Sequence, residues 1–242
     1  MYAEIVGVLR FAAWLVVAAC GRVGFDVVPA LDSRPDAQVV PRVLSTRTGT
    51  TTGADAATLT VSLAATNGGD MLVVAVTSHD GVAVTGVTDG NGRAFTSANV
   101  RAAEGGVASE IWYEPAAPST TQVTVDFVSK TSVDAFVLEV SGVSGPPALT
   151  AMSCVQYPPA IATAPITTTL PNQVIVTATM FAFPLFVASM DPPFVGLAPV
   201  TGNDAGYLVA DTPGTYASTF QIASGQGMAA MTCASSVAWP PS

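Results

Sequence analysis

The chain has 242 residues, of which 50% are hydrophobic and only 10% are charged, so it can bury a sizeable core. Its formal net charge is −9, and after Arg47 only three basic residues stand against thirteen acidic ones. Nucleic-acid affinity comes largely from lysine and arginine side chains that neutralise phosphates, so this balance argues against a nucleic-acid partner.

The first nineteen residues have the features of a secretion signal. An apolar core, FAAWLVVAA, follows Arg10 and is shorter than the roughly 20 residues that a membrane-spanning helix needs. The core ends at Val17-Ala18-Ala19-Cys20, which resembles the bacterial lipobox. In that family the cysteine thiol takes a diacylglycerol, the preceding peptide is cut away and the new amino terminus is acylated. The resemblance implies that residues 1–19 are a lipoprotein signal peptide and that Cys20 is the lipidation site. The alternative is an ordinary secretory signal with an incidental cysteine.

Residues 20–47 contain prolines and charges and show no sustained hydrophobic period. We predict that they form a lipidated tether that holds a domain off the membrane. The protein is then expected in the bacterial cell envelope, at the outer membrane or cell surface, with the membrane as its partner through the lipid anchor. In such an oxidising compartment the two remaining cysteines, Cys154 and Cys233, favour a disulfide over two buried free thiols.

Residues 48–242 predict a single β-domain. Short alternating or wholly apolar runs are broken by turn residues, as between strands of an antiparallel sheet. The run MLVVAVTS follows the turn at residues 67–70, and Gly90-Asn91-Gly92 lies between two alternating runs, which is a hairpin signal. About ten such runs, with no helical periodicity between them, predict an all-β, jelly-roll-like antiparallel β-sandwich. The proline-rich residues 141–150 are the best candidate for a crossing between the two sheets.

Several of these runs together resemble a β-sandwich domain that recurs in secreted and surface-attached bacterial proteins. The resemblance lies in GDMLVVAVTS, VTDGNGRAFTSA, IWYEP, VTVDFVS and VLEVSGV, and in YLVADTPGTYASTFQIASGQGMAAM near the end of the chain. It covers roughly residues 57–238, and its motifs are strand and turn features, so they bear on fold more than on activity. Domains of this kind are appended to extracellular enzymes or stand alone on lipoproteins. The segment PLFVASMDPPFVGLAPV departs from the pattern.

The strand around Trp112 carries the first candidate binding site. Glu110, Trp112 and Glu114 alternate, so the pleat places all three on one face, with Ile111 and Tyr113 turned to the core. An aromatic ring between carboxylates is a plausible platform for a sugar, because the ring stacks on the pyranose and the acids accept hydroxyl hydrogen bonds. The alternative is that Trp112 merely covers the sheet.

Two further groups of residues leave alternatives open. Asp80, Asp89 and Asn91 offer side-chain oxygens for Ca²⁺, although the bidentate glutamate of an EF-hand is missing and Asn-Gly is a turn dipeptide first. We therefore expect no cofactor other than this Ca²⁺ candidate. The four aromatic residues at positions 181, 183, 186 and 194 fit either a sandwich core or an exposed apolar loop.

The sequence favours binding over catalysis. The chain has a single histidine, His79, so a histidine-rich metal site is excluded. The sequence also lacks the motifs of a hydrolase triad. Our prediction is a membrane-anchored surface lipoprotein whose β-sandwich serves non-catalytic binding or adhesion, with a glycan or an envelope protein as the candidate partner. One alternative is a structural envelope or matrix subunit that associates with its own kind through strand edges. A second is a carbohydrate-active enzyme.

Overall fold

The structure is a computed structural model that describes residues 39–156, 160–181, 187–197, 203–222 and 231–242. Val39–Ser242 form one compact unit with its own hydrophobic cores. The described residues form antiparallel strands and no helix, so the prediction of an all-β sandwich is confirmed.

The described residues contain sixteen strands, more than the ten or so that the sequence predicts, because several short strands cover the outer faces. In chain order they are β1 (Arg42–Ser62), β2 (Met71–His79), β3 (Val84–Asp89), β4 (Thr96–Glu104), β5 (Val107–Glu114), β6 (Gln122–Ser141), β7 (Leu149–Val155), β8 (Ala160–Ala162), β9 (Ile166–Thr168), β10 (Gln173–Phe181), β11 (Val187–Met190), β12 (Val195–Gly196), β13 (Asp204–Ala210), β14 (Gly214–Tyr216), β15 (Thr219–Ile222) and β16 (Thr232–Trp239).

Two large sheets stack on each other. The first has the order β1-β6-β2-β5-β4, with β3 also paired to β6, and the second has the order β12-β13-β10-β16-β7. The smaller sheets β11-β15-β8 and β14-β9 pack on the second. Residues 142–148 connect β6 of the first sheet to β7 of the second, so the predicted crossing is confirmed.

The longest strands, β1 and β6, form a ribbon that folds back over the first sheet. They pair through both of their halves, and the register is interrupted between Thr51 and Thr58. A Cβ added to Gly49 would lie 2.8 Å from Val61 Cγ2, so the two halves of β1 pack directly on each other. The sequence predicts two strands within residues 120–143, but they are the two halves of β6 on either side of this fold.

The ribbon gives the molecule three layers instead of two. One core lies between the large sheets and contains Phe136, Ile111 and Trp239. A second core lies between the first sheet and the folded ribbon, where Val74 and Val76 meet Val123 and Val125. Both faces of β2 and of the second half of β6 are therefore buried, which explains why these stretches are apolar at successive positions, whereas the first half of β6 alternates.

The disulfide prediction is confirmed. Cys154 and Cys233 are joined by an S–S bond of 2.05 Å, and they are directly opposite each other on the paired strands β7 and β16. Phe181 and Phe194 are buried, at 1% and 7% exposure, so the core alternative holds for these two residues. The other two aromatics of that group, at positions 183 and 186, lie outside the described residues.

The structure corrects two predictions, one about where the domain begins and one about a hairpin. The first sheet begins at Arg42, so six residues assigned to the tether are strand, held by pairing with β6. The turn at Gly90-Asn91-Gly92 forms, but its flanking strands part after one bridge between Thr88 and Ala94. They separate because β3 pairs with β6 whereas β4 pairs with β5 and enters the core between the sheets.

Candidate binding groove

The row Glu110, Trp112 and Glu114 lies on one face of β5, and Ile111 and Tyr113 face the core between the sheets, as the pleat predicts. The prediction that this row forms an open sugar platform is wrong. Glu110 is 6% exposed and Glu114 is 2% exposed, and Trp112 is half-buried against the core under the ribbon. The face is closed because Trp112 packs on the second core, while the backbone of Val84 on β3 contacts Glu110 and Arg93 lies against Glu114.

Glu110 anchors a neighbouring loop. Its Oε1 accepts a 2.8 Å hydrogen bond from Arg101 Nε and a 3.3 Å bond from the backbone N–H of Val84. Arg101 also donates to the carbonyl of Gly81 at 2.7 Å. The carboxylate and the guanidinium together hold residues 81–84 against the sheet, so Glu110 has a structural role here.

Glu114 has fewer hydrogen-bond partners than Glu110. Arg93 Nε lies 3.0 Å from Glu114 Oε1, but the geometry is not that of a hydrogen bond, and neither carboxylate oxygen accepts one from the described residues. Burial raises the pKa of Glu114, and the charge of Asp89 raises it further, against the opposing effect of Arg93. Trp112 Nε1 on the same face is buried without a hydrogen-bond partner among the described residues.

A third buried glutamate, Glu139 on β6, was not identified from the sequence. Its Oε1 accepts hydrogen bonds from the backbone N–H and from Nδ2 of Asn67, at 2.6 and 3.0 Å, and its Oε2 accepts one from Ser45 Oγ at 2.9 Å. The residue fastens the turn after β1 to the sheet. A single acid within the apolar run VLEVSG is the signal that could have revealed it.

The predicted Ca²⁺ site is wrong. Asp80 precedes β3 and Asp89 ends it, so a strand of about 17 Å separates them. Asp89 instead shapes its own turn: Oδ1 accepts from the backbone N–H groups of Asn91 and Arg93 at 2.9 and 2.8 Å, and Oδ2 accepts from Asn91 Nδ2 at 3.0 Å. No group of three or more possible metal ligands occurs among the described residues.

A polar groove lies beside this turn. It has a volume of about 310 Å³ and is lined by Gly90, Asn91 and the segment Ser119–Gln122. Thr120 holds the two walls together, because its Oγ1 accepts from Gly90 N at 2.9 Å and donates to the carbonyl of Gln122 at 3.1 Å. Only glycine fits at position 90, since an added Cβ would lie 2.8 Å from Thr120 Oγ1 and 3.0 Å from Gln122 Cγ.

The rim of the groove carries polar groups that are free to bind. Within the described part of the chain, the exposed side chains of Ser119, Thr121 and Gln122 make no hydrogen bond. Asn91 Nδ2 is fixed by Asp89 and by the carbonyl of Ser119, which leaves Asn91 Oδ1 without a donor. Two hydroxyls, one carboxamide and one amide oxygen therefore line a concave surface between the turn and the segment Ser119–Gln122. The hairpin signal at residues 90–92 indicated the turn, but nothing in the sequence indicated residues 119–122.

Two other buried acids lie at the interfaces of the second sheet. Asn203 Nδ2 donates to Asp134 Oδ2, which links the two large sheets. Burial raises the pKa of Asp204 to about 7, although the backbone N–H of Ala205 donates to its Oδ1 at 2.8 Å and opposes the shift. His79 is half-buried at the end of β2, and burial lowers its pKa against the opposing charges of Asp134 and Asp80.

The predicted signal peptide, residues 1–19, and the predicted lipidation site Cys20 lie outside the described residues. The part of the chain that the structure describes has no helix of the length and apolarity needed to cross a membrane. Comparison with known proteins finds no matching family model and no curated protein of significant similarity.

Proposed function

We propose that this protein is a lipid-anchored bacterial surface protein whose β-sandwich binds a neutral glycan in the groove formed by Gly90, Asn91 and Ser119–Gln122. The observation that carries the proposal is the set of groups at this groove that hydrogen-bond to no described residue, namely the side chains of Ser119, Thr121 and Gln122 and the Oδ1 atom of Asn91. Sugars present closely spaced hydroxyls that both donate and accept, and hydroxyl and amide side chains match both functions.

The charge of the domain favours a neutral ligand over an anionic one. Basic residues after Arg47 are limited to Arg93, Arg101 and Lys130, and the two arginines pair with buried glutamates. A phosphorylated or uronic acid polymer would meet an acidic surface with little to neutralise it. A neutral polysaccharide is not repelled by this surface.

The separation of the two carboxylates on β5, and their pairing with arginines, favour binding over catalysis. A glycosidase needs two carboxyl groups about 5–10 Å apart around the scissile bond. Glu110 and Glu114 are four residues apart on β5, which is about 13 Å along the strand, and each faces an arginine. Their arrangement supports a structural role in holding the segments that precede and follow β3.

One observation favours the structural-subunit alternative. Strand β7 is the edge of the second sheet, and it exposes Met152 and Val155. Unpaired edges with apolar side chains promote association between copies. Self-association of the purified chain without added glycan, measured by analytical ultracentrifugation over a range of concentrations, would favour this alternative.

The test of the proposal is affinity gel electrophoresis of the full chain through dextran, xylan, β-1,3-glucan and galactomannan. We expect retardation by at least one polymer and loss of the retardation in Gln122→Ala. Glu104→Ala serves as the matched control, because Glu104 is also exposed but ends β4 away from the groove. Equal retardation of both variants would move the site elsewhere, and no retardation of the folded wild type by any polymer would contradict glycan binding.

A further inference from the structure

We propose that the start of β1 is a membrane-docking surface, made of Val39, Val40, Arg42, Leu44 and Arg47, that lays the domain on an anionic lipid surface. The inference rests on the lipid anchoring in the proposed function but is independent of glycan binding. Val39, Val40 and Leu44 are among the most exposed large apolar residues of the described chain, at 53%, 53% and 45% exposure.

A bulge in β1 creates the surface. Val43 pairs with Val140 and Ser45 pairs with Glu139, so Leu44 is an extra residue without a partner on β6. A bulged residue on an edge strand bends the strand and turns it away from pairing with another strand. Leu44 therefore points outward, where it can insert between lipids. The bulge at the same time disfavours pairing of β1 with a strand of another molecule.

The same bulge brings two arginines to one side of the sheet. Arg42 and Arg47 are five residues apart, which would put them on opposite faces of a regular strand. Their partners on β6, Ser141 and Val137, are four residues apart and therefore share a face. Neither arginine forms an ion pair with a described acidic residue. Each cationic side chain near an anionic bilayer strengthens binding about fivefold.

The position of the surface in the chain fits a membrane partner. Val39 is nineteen positions after Cys20, a length that spans at most about 65 Å, so a lipid on Cys20 leaves the domain free to lie on the bilayer or away from it. After Arg47 the chain has three basic residues against thirteen acidic ones, and two of the three, Arg93 and Arg101, pair with buried glutamates. The start of β1, with two arginines that form no ion pair to a described acidic residue, therefore has the charge that best suits an anionic membrane.

The test uses residues 39–242, the compact unit that contains all the described core clusters, tethered by an N-terminal histidine tag to vesicles of phosphatidylcholine, phosphatidylglycerol and a nickel-chelating lipid. The tether replaces the anchor and raises the local concentration. A polarity-sensitive fluorophore is attached at Leu44→Cys or, as the control, at Met152→Cys. Met152 is equally exposed but lies on β7, which packs beside β4 at the opposite edge of the first sheet from β1.

We expect the label at position 44, but not the label at position 152, to shift to the blue and to be quenched by lipid-borne quenchers. Arg42→Glu and Arg47→Glu each remove a cation and add an anion, so each should lower the docking equilibrium constant by more than about fivefold. Lys130→Glu, which makes the same charge change on the exposed part of the ribbon, should not. A label at position 44 that stays in water, equal behaviour of the two labels, or an equal effect of Lys130→Glu would overturn the proposal. Because the vesicles carry no glycan and the fragment lacks Cys20, none of these results bears on the proposed function.

Discussion

Asp204→Asn should make the protein more stable at pH 8 and leave its stability nearly unchanged at pH 4. Asp204 is 3% exposed, and burial raises the pKa of its carboxyl from 3.8 to about 7. The folded state thus holds a proton that the unfolded state has already released between these two values. Stability is full below pH 3.8, falls as the pH rises toward 7 and is constant above it.

The magnitude follows from the size of the shift. About three pKa units correspond to about 4 kcal/mol of lost stability above pH 7. Asparagine has nearly the same shape and can still accept the hydrogen bond from Ala205 N. Urea denaturation at pH 4, 5.5, 7 and 8 should therefore show a stabilisation of Asp204→Asn that grows with pH to a few kcal/mol. Asp211→Asn, at an exposed position just after the same strand, is the matched control. A difference that does not depend on pH, or a less stable variant at pH 8, would refute the reasoning.

Two further predictions concern the frame of the sandwich. Replacing Cys154 and Cys233 by serine should lower the free energy of unfolding by about 4–5 kcal/mol, because the bridge closes a loop of 79 residues. Urea denaturation of oxidised wild type and variant measures this, and a loss below 1 kcal/mol would contradict it. Gly49→Ala should cost about 1–3 kcal/mol because the new methyl group would meet Val61. Gly86→Ala, with open space around its Cβ position, is the control, and equal losses in thermal denaturation would argue against the folded ribbon.

The sequence correctly predicted the structural features that depend on residues close together in the chain or on a count of residues. The pleat of β5 placed Ile111 and Tyr113 in the core, and the Asn-Gly signal found the turn at residues 90–92. The pairing of Cys154 with Cys233 followed from the number of cysteines and the expected compartment. These inferences need only periodicity, turn chemistry or counting.

What could not be predicted depends on contacts between distant segments. Alternation along β5 identifies a second face but cannot show what covers it, and the cover comes from Val84, Arg93 and the second core, which is built in part by β1 and β6. The sugar platform at Trp112 failed for this reason. The groove was missed for the same reason, because Ser119–Gln122 is held by hydrogen bonds to the turn after β3 and to Leu63 and Thr66 after β1.

The most direct test of the central claim is a map of backbone amide NMR shifts during titration of the protein with isomaltohexaose and xylohexaose, which are short forms of dextran and xylan. Binding in the groove predicts shift changes confined to Gly90, Asn91 and Ser119–Gln122 and their immediate neighbours. Changes centred elsewhere, for example on β7, or the absence of changes with either sugar at millimolar concentration, would contradict the assignment of this groove as the binding site.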